Sequence, residues 1–197
     1  MRGIVVVNDE QIELAKLMLG HIPGAVPKAL SNAINRSVEG AQTEATRKAP
    51  EEYHVRSRDI LASCFIKRSS PRRLIAYLKA SGTARPLSIF KVSPSMPVSY
   101  WDRPNILKAA TRKGEGLKGI SKAFVEFGRK TGNMHVLQRT GDRDANGKEE
   151  VRILYGPSLP QMLGNDRVQR DITQRAMITM DTRLDHEMNR LLARYGK

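Results

Sequence analysis

Three stretches of this sequence come close to a chemical motif, and each lacks a part that its chemistry needs. Gly114-Glu115-Gly116-Leu117-Lys118-Gly119 spells GxGxxG, the turn that brings backbone amides to a pyrophosphate at the start of a helix. Here Ile106 to Lys113 before it does not read as a buried strand. Ile120 to Phe127 after it reads as a strand rather than a helix, and no βαβ unit surrounds it, so a turn is expected. No GxxxxGKS/T phosphate loop occurs. His186-Glu187-Met188-Asn189-Arg190 begins like HExxH, but Arg190 stands where the second zinc ligand belongs. Asp181, Asp185 and His186 are expected on a solvated helix face paired with Arg183 and Arg190. Gly156-Pro157-Ser158-Leu159-Pro160 resembles the nucleophile turn GxSxG, but Pro160 replaces its second glycine. No helix is expected directly after Ser158, which reads as the cap of a turn. His21, His54 and His135 are scattered, and no carboxylate pair stands out as an acid and base. The single cysteine, Cys64, excludes an internal disulfide and a multi-cysteine zinc site. The expectation is a protein that is not an enzyme, with no cofactor and no bound metal.

Charge is the strongest compositional signal. Thirty-four Lys and Arg against 20 Asp and Glu leave a net +14, which implies attraction to a polyanion or an acidic protein surface. Two segments carry most of it. Arg56 to Arg85 holds eight basic residues against Asp59, and Arg103 to Lys130 holds eight against Glu115 and Glu126. No stretch approaches the roughly 18 apolar residues of a membrane span. The run Ile4 to Val7 is too short for a signal-peptide core. A soluble chain without a membrane partner is expected.

The elements that position these residues follow from periodicity. A short strand, Gly3 to Val7, leads to a brief helix capped by Asn8 or Asp9 and stopped by Gly20, with Ile12, Ala15, Leu19 and Ile22 at helical spacing. From Pro27 to Pro50 a long helix is expected, its stripe of Val26, Leu30, Ala33, Ile34, Val38, Ala41 and Ala45 rich in alanine. That thin stripe suits close packing against a sheet or a neighbouring copy. Cys64 to Ser81 alternates as a hairpin about Ser69-Ser70-Pro71, with Leu74, Ala76 and Leu78 on one face and Ile75 and Tyr77 on the other. Lys122–Phe127, His135–Arg139 and Val151–Tyr155 read as further strands, with a turn from Gly141 to Gly147. A second long helix is expected from Arg167 to Arg194, with Val168, Ile172, Ala176, Met180, Leu184, Met188 and Leu191 on one stripe. The class is α+β: an antiparallel sheet flanked by a long N-terminal and a long C-terminal helix, in one domain spanning residues 1–197. Residues 91–119, with Pro94, Pro97, Pro104 and three glycines, read as a long irregular loop. Within it Val98 to Trp101 has some strand character, and Trp101 adjoins Tyr100.

Several phrases in order along the chain resemble the minor tail protein Z family of lambda-like, long-tailed bacteriophages. They are KALSNAINRSVEGAQTEATRK with Tyr53-His54-Val55, then Leu87-Ser88-Ile89-Phe90, the AFVEFG and HVLQR pair, Leu154-Tyr155-Gly156-Pro157-Ser158, and the ending Asp185 to Leu192. Asp142–Glu150 and Lys91–Gly119 depart from the family's pattern. The resemblance implies a structural virion protein, assembled in the host cytoplasm and located in the tail or neck. It implies a homo-oligomeric ring, hexameric by analogy with neck proteins, between the tail terminator and the head-tail connector, through which the genomic DNA end passes. Under that reading Arg68, Arg72, Arg73, Arg112, Lys113 and Lys118 are candidate contacts to DNA or the connector. Ala33, Ala41, Ala45, Tyr100 and Trp101 are candidate subunit contacts. The other reading, from charge alone, is a basic protein that binds nucleic acid without sequence preference.

Overall fold

A computed structural model describes residues 9–195 apart from 105, 129–131, 144 and 146, with the side chains of residues 9–11 and 100 also excluded. The expected strand from Gly3 to Val7, and Asn8 as a cap, lie outside the described residues. The protein is α+β, as expected, with all its paired strands antiparallel. The strands form four small sheets among the described residues rather than one. Contacts group the chain into two compact units. The first comprises residues 1–49, 57–81 and 163–197, and the second residues 50–56 and 82–162.

In the first unit, α1 (Asp9–Leu19) and α2 (Ala25–Glu52), whose last three residues belong to the second unit, precede α3 (Ser57–Ser63), the strands β1 (Cys64–Lys67) and β2 (Tyr77–Ala80), and finally α5 (Asp166–Tyr195). Every fourth residue of α2 from Ala25 to Ala49 is small and buried: Ala25, Ala29, Ala33, Ser37, Ala41, Ala45 and Ala49. α5 buries Val168, Ile172, Ala176, Met180, Leu184, Met188 and Leu191, the stripe its spacing implies. Ala29, Leu30 and Ala33 join Ala15 and Leu19 of α1 and Met180, Leu184, Met188 and Leu191 of α5 in one core cluster. Small side chains let helix backbones approach. A Cβ added at Gly40 would lie 2.9 Å from Thr179 Oγ1, and Ser37 Oγ donates to the Ala176 carbonyl at 2.7 Å. α2 runs one residue pair past Pro50, where the sequence places its end. Proline supplies a helical φ but no N–H, so the bond that residue 50 would make back to the residue 46 carbonyl is missing from the last turns. α3 was not expected; seven residues with two buried positions give no readable period.

The second unit contains β3 (Ala84–Pro86), β4 (Lys91–Ser93), β5 (Ile106–Ala110), β6 (Lys118–Ser121), β7 (Ala123–Phe127), β8 (Met134–Arg143), β9 (Glu149–Ile153) and β10 (Tyr155–Ser158), followed by α4 (Leu159–Leu163), whose last residue lies outside the unit. Its sheets run β4-β5-β6, β7-β8-β9 and β10-β3. Residues 91–119 are therefore not an irregular loop. β5 pairs with β4 and β6, and its Leu107, Ala109 and Ala110 are buried. The three prolines, Gly114 and Gly116 sit in the connections between its strands, and Gly119 lies within β6. Val98 to Trp101 is not a strand: Tyr100–Asp102 forms a single 3₁₀ turn. Buried Ala123, Val125 and Val136 form the inner face of β7 and β8. β8 runs on to Arg143, so Gly141 to Arg143 belong to a strand rather than to the turn.

Two of the three near-miss motifs resolve into local structure in this unit. Gly119 lies in β6, so the glycine run enters a strand rather than a helix, although the preceding Ile106–Ala110 is a strand after all. A helix does follow Ser158 directly. Gln161 N–H donates to Ser158 Oγ at 3.4 Å, and Ser158 N–H donates to Gln161 Oε1 at 2.8 Å, a reciprocal cap for α4. Gly156 lies under Phe90: a Cβ there would be 2.5 Å from Phe90 Cε2.

Candidate functional site

A polar stripe on α2 positions the first basic surface. Ser31, Asn35, Glu39 and Gln42 follow one another at helical spacing, and the β1–β2 hairpin lies along them. Gln42 Nε2 donates to the Cys64 carbonyl at 3.3 Å, and Arg68 pairs with Glu39 at 2.9 Å. Asn35 reads the Ser69 backbone twice, accepting from its N–H at 2.8 Å and donating to its carbonyl at 3.2 Å. Ser69 Oγ donates to the Ser31 carbonyl at 3.0 Å. Ser31, Asn35, Gln42 and Ser69 are buried or half-buried, so their hydrogen bonds offset the cost of removing them from water. The turn closes on itself, Ser70 and Arg73 exchanging backbone N–H···O bonds of 2.9 Å each.

The register then fixes what the hairpin shows to solvent. Cys64 pairs with Ala80 and Ile66 with Leu78 on the inward face, while Phe65 pairs with Lys79 and Lys67 with Tyr77 on the outward face. Leu74 packs against the core cluster, in keeping with the expected alternation. Arg68, Arg72 and Arg73 are all exposed at this end of the unit. Sequence reasoning counted Lys67 and Lys79 as charge but gave no role to Phe65, which is 58% exposed. The signal was the two-residue period, once Cys64 and Ile66 are assigned inward.

The other three basic candidates lie in the second unit. Tyr53 forms an antiparallel bridge with Arg112, and the Arg112 guanidinium sits 5.5 Å from the Tyr53 ring centroid. Glu115 pairs with Lys118 at 2.8 Å and with Arg112 at 3.6 Å. The Lys118 hydrogen bond, with the charges of Lys118 and Arg112, holds the Glu115 carboxyl below its usual range. Lys113 is exposed, its N–H donating to the Glu52 carbonyl at 2.8 Å. Partial burial, then the charges of Lys113 and Lys91, push the His54 imidazole below its usual value. This surface is therefore basic around His54 and Lys113 and partly neutralised around Glu115.

The expected subunit contacts are not brought together. Ala33, Ala41 and Ala45 are at most 3% exposed, enclosed within the chain's own fold. Their stripe packs inside the subunit and offers a neighbouring copy no surface. Trp101 is 88% exposed, and the Tyr100 side chain lies outside the described residues.

No arrangement for bond-making chemistry emerges among the described residues. A polar cleft of about 580 Å³ is lined by Asn32, Asn35, Arg36, Glu39, Arg68, Glu187 and Arg190. Its carboxylates are engaged, Glu39 with Arg36 and Arg68, and Glu187 with Asn32 and Arg190. Burial works to raise the Glu187 pKa, but the hydrogen bonds from Asn32 and Arg190 outweigh it and hold the carboxyl below its usual range. His186 is exposed on α5. Among the described residues no three His, Cys, Asp or Glu side chains converge as metal ligands, and no helix is long and apolar enough to cross a membrane.

A family model described as prophage minor tail protein Z matches residues 18–197. The chain belongs to that family. The match runs from the end of α1 through α5 and takes in every candidate residue named above, including the segments 91–119 and 142–150. As a minor tail protein Z, the chain is a structural phage tail protein, located in the virion among other virion proteins. No curated protein and no solved structure matches it.

Proposed function

We propose that this minor tail protein completes the head-proximal end of a long-tailed phage's tail, joining the tail terminator to the head-tail connector around the DNA passage. It does so as a homo-oligomeric ring, sixfold by analogy with neck proteins. The observation that carries the reading is the family match across residues 18–197. Two exposed basic surfaces fit a subunit that faces a polyanion passing through the ring or an acidic connector, since phosphate contact needs charge and no base reading. The paired carboxylates of the one polar cleft described above suit scaffolding rather than turnover.

The test is a prophage from which only this gene is deleted. Induction is expected to yield filled heads and full-length tails that fail to join or to infect, with complementation restoring both. Normal joined, infective particles would overturn the reading. Native mass measurement of the purified chain with isolated tails should show a closed ring at the tail end, and a persistent monomer indifferent to tails would count against it.

The second reading, a basic protein binding nucleic acid without sequence preference, is favoured by the net charge of +14. It predicts binding that weakens steeply with salt and leaves particle assembly intact on deletion.

A further inference from the structure

The outward face of the β1–β2 hairpin carries a pattern that the tail role does not require. From Cys64 to Ser81 there are five cations, Lys67, Arg68, Arg72, Arg73 and Lys79, and no carboxylate. All five are exposed. Arg68 is engaged by Glu39, leaving four pointing to solvent. Between them lie two aromatic rings in a cross-strand checkerboard, Phe65 opposite Lys79 and Tyr77 beside Lys67. Cross-strand partners on one face stand about 5 Å apart, so each ring has a cation as its immediate neighbour. Phe65 is 58% exposed and Tyr77 half-buried.

We propose that this face binds single-stranded nucleic acid, with bases stacking on Phe65 and Tyr77 and phosphates meeting Lys67, Lys79, Arg72 and Arg73. A duplex presents phosphates but keeps its base faces stacked on one another, and so leaves the rings unused. A single strand offers both flat apolar faces and regularly spaced negative charge, the combination that ring-and-cation surfaces recognise without sequence preference. The same face of a second copy is a poor occupant, because five cations without a carboxylate would meet five more. The hairpin is held to α2 by the Gln42, Asn35 and Ser31 hydrogen bonds, so the face is formed before any ligand arrives. The inference stands on the hairpin alone and goes beyond the proposed tail role, whose failure is read separately from particle assembly.

The experiment measures anisotropy of a labelled 15-nucleotide oligo-dT, and of a duplex of equal length, with the purified full-length chain. Oligo-dT is expected to bind more tightly than the duplex, with log K falling against log salt by about 0.7 per phosphate engaged. Phe65→Ala, at an exposed position, is expected to keep the melting temperature and to weaken oligo-dT about tenfold, the effect of losing one stacked base, with little change on duplex. Lys67→Gln with Lys79→Gln should weaken both ligands and flatten the salt slope, and Trp101→Ala should leave both unchanged. No oligo-dT binding at low salt overturns the proposal. So does an unaltered affinity in Phe65→Ala, or competition by polyglutamate as effective as that by oligo-dT, which would assign the face to duplex phosphates or to an acidic protein.

Discussion

Asn32 Nδ2 donates to Glu187 Oε2 at 3.0 Å, and this one bond states the register in which α2 and α5 lie side by side. Eight residues further along α2, Gly40 meets Thr179, eight residues back along α5. Another eight bring Lys48 to Asp171, with Nζ and Oδ2 3.3 Å apart. The helices are antiparallel, and Thr179 faces the one point in this series where α2 has no side chain.

That closeness makes Gly40 sensitive to bulk. Gly40→Leu is expected to destabilise the chain by about 1–3 kcal/mol, the usual cost of overpacking, measured by urea unfolding. Gly40→Ala is expected to be less harmful when Thr179 is also changed to alanine, because the 2.9 Å contact is to Thr179 Oγ1. If Gly40→Leu unfolds at the parent urea concentration, the helices do not pack in this register.

Asn35 should matter more than the residue it holds. Asn35→Ala removes both hydrogen bonds to the Ser69 main chain, leaves those groups without partners, and is expected to cost about 1–3 kcal/mol. Ser69→Ala keeps both and loses only hydroxyl bonds, so its cost should be smaller. The same denaturant titration ranks them, and the reverse order would refute the clamp.

The His54 imidazole titrates below 6.5 through partial burial and the charges of Lys113 and Lys91. Its neutral form is favoured in the folded state. Its contribution to stability is therefore complete above the unfolded value of 6.5 and is lost as pH falls through the lowered folded value. An NMR titration, assigned with His54→Ala, should show the depressed midpoint, and Lys113→Gln should move it upward. A midpoint at or above that of a free histidine would contradict the arrangement.

Cys64 is 6% exposed, and burial pushes its thiol up despite an opposing hydrogen bond with Ser63. The reactive thiolate is thus scarce as well as covered. Iodoacetamide at pH 8 is expected to leave the native chain unmodified and to label it fully in denaturant. Rapid native labelling would show that the inward face of the hairpin opens.

Much of this was legible in the sequence because long elements repeat their period. The α5 stripe from Val168 to Leu191 appears in the structure residue for residue, and the alternation at Leu74 to Leu78 gave the hairpin its faces. The strands β4 and β5 were not legible, because three and five residues between prolines and glycines carry too few repeats to show a period. The fate of the α2 alanines was illegible for a different reason: a stripe of small residues looks the same whether its own chain or a neighbour covers it. Of the candidate site, composition disclosed Arg68, Arg72 and Arg73. Phe65 needed the register, which only pairing across the turn defines.

Phe90 rests its buried ring on the bare main chain of Gly156, and Ser158, two residues on, fastens the start of a helix. Glycine and serine at this spacing are also the letters with which a hydrolase presents its nucleophile. Here one is a seat for an aromatic and the other a clasp, so spelling alone would file a scaffold among the esterases. What separates the two is touch: the glycine meets an aromatic ring and the serine hydroxyl meets the side chain of Gln161.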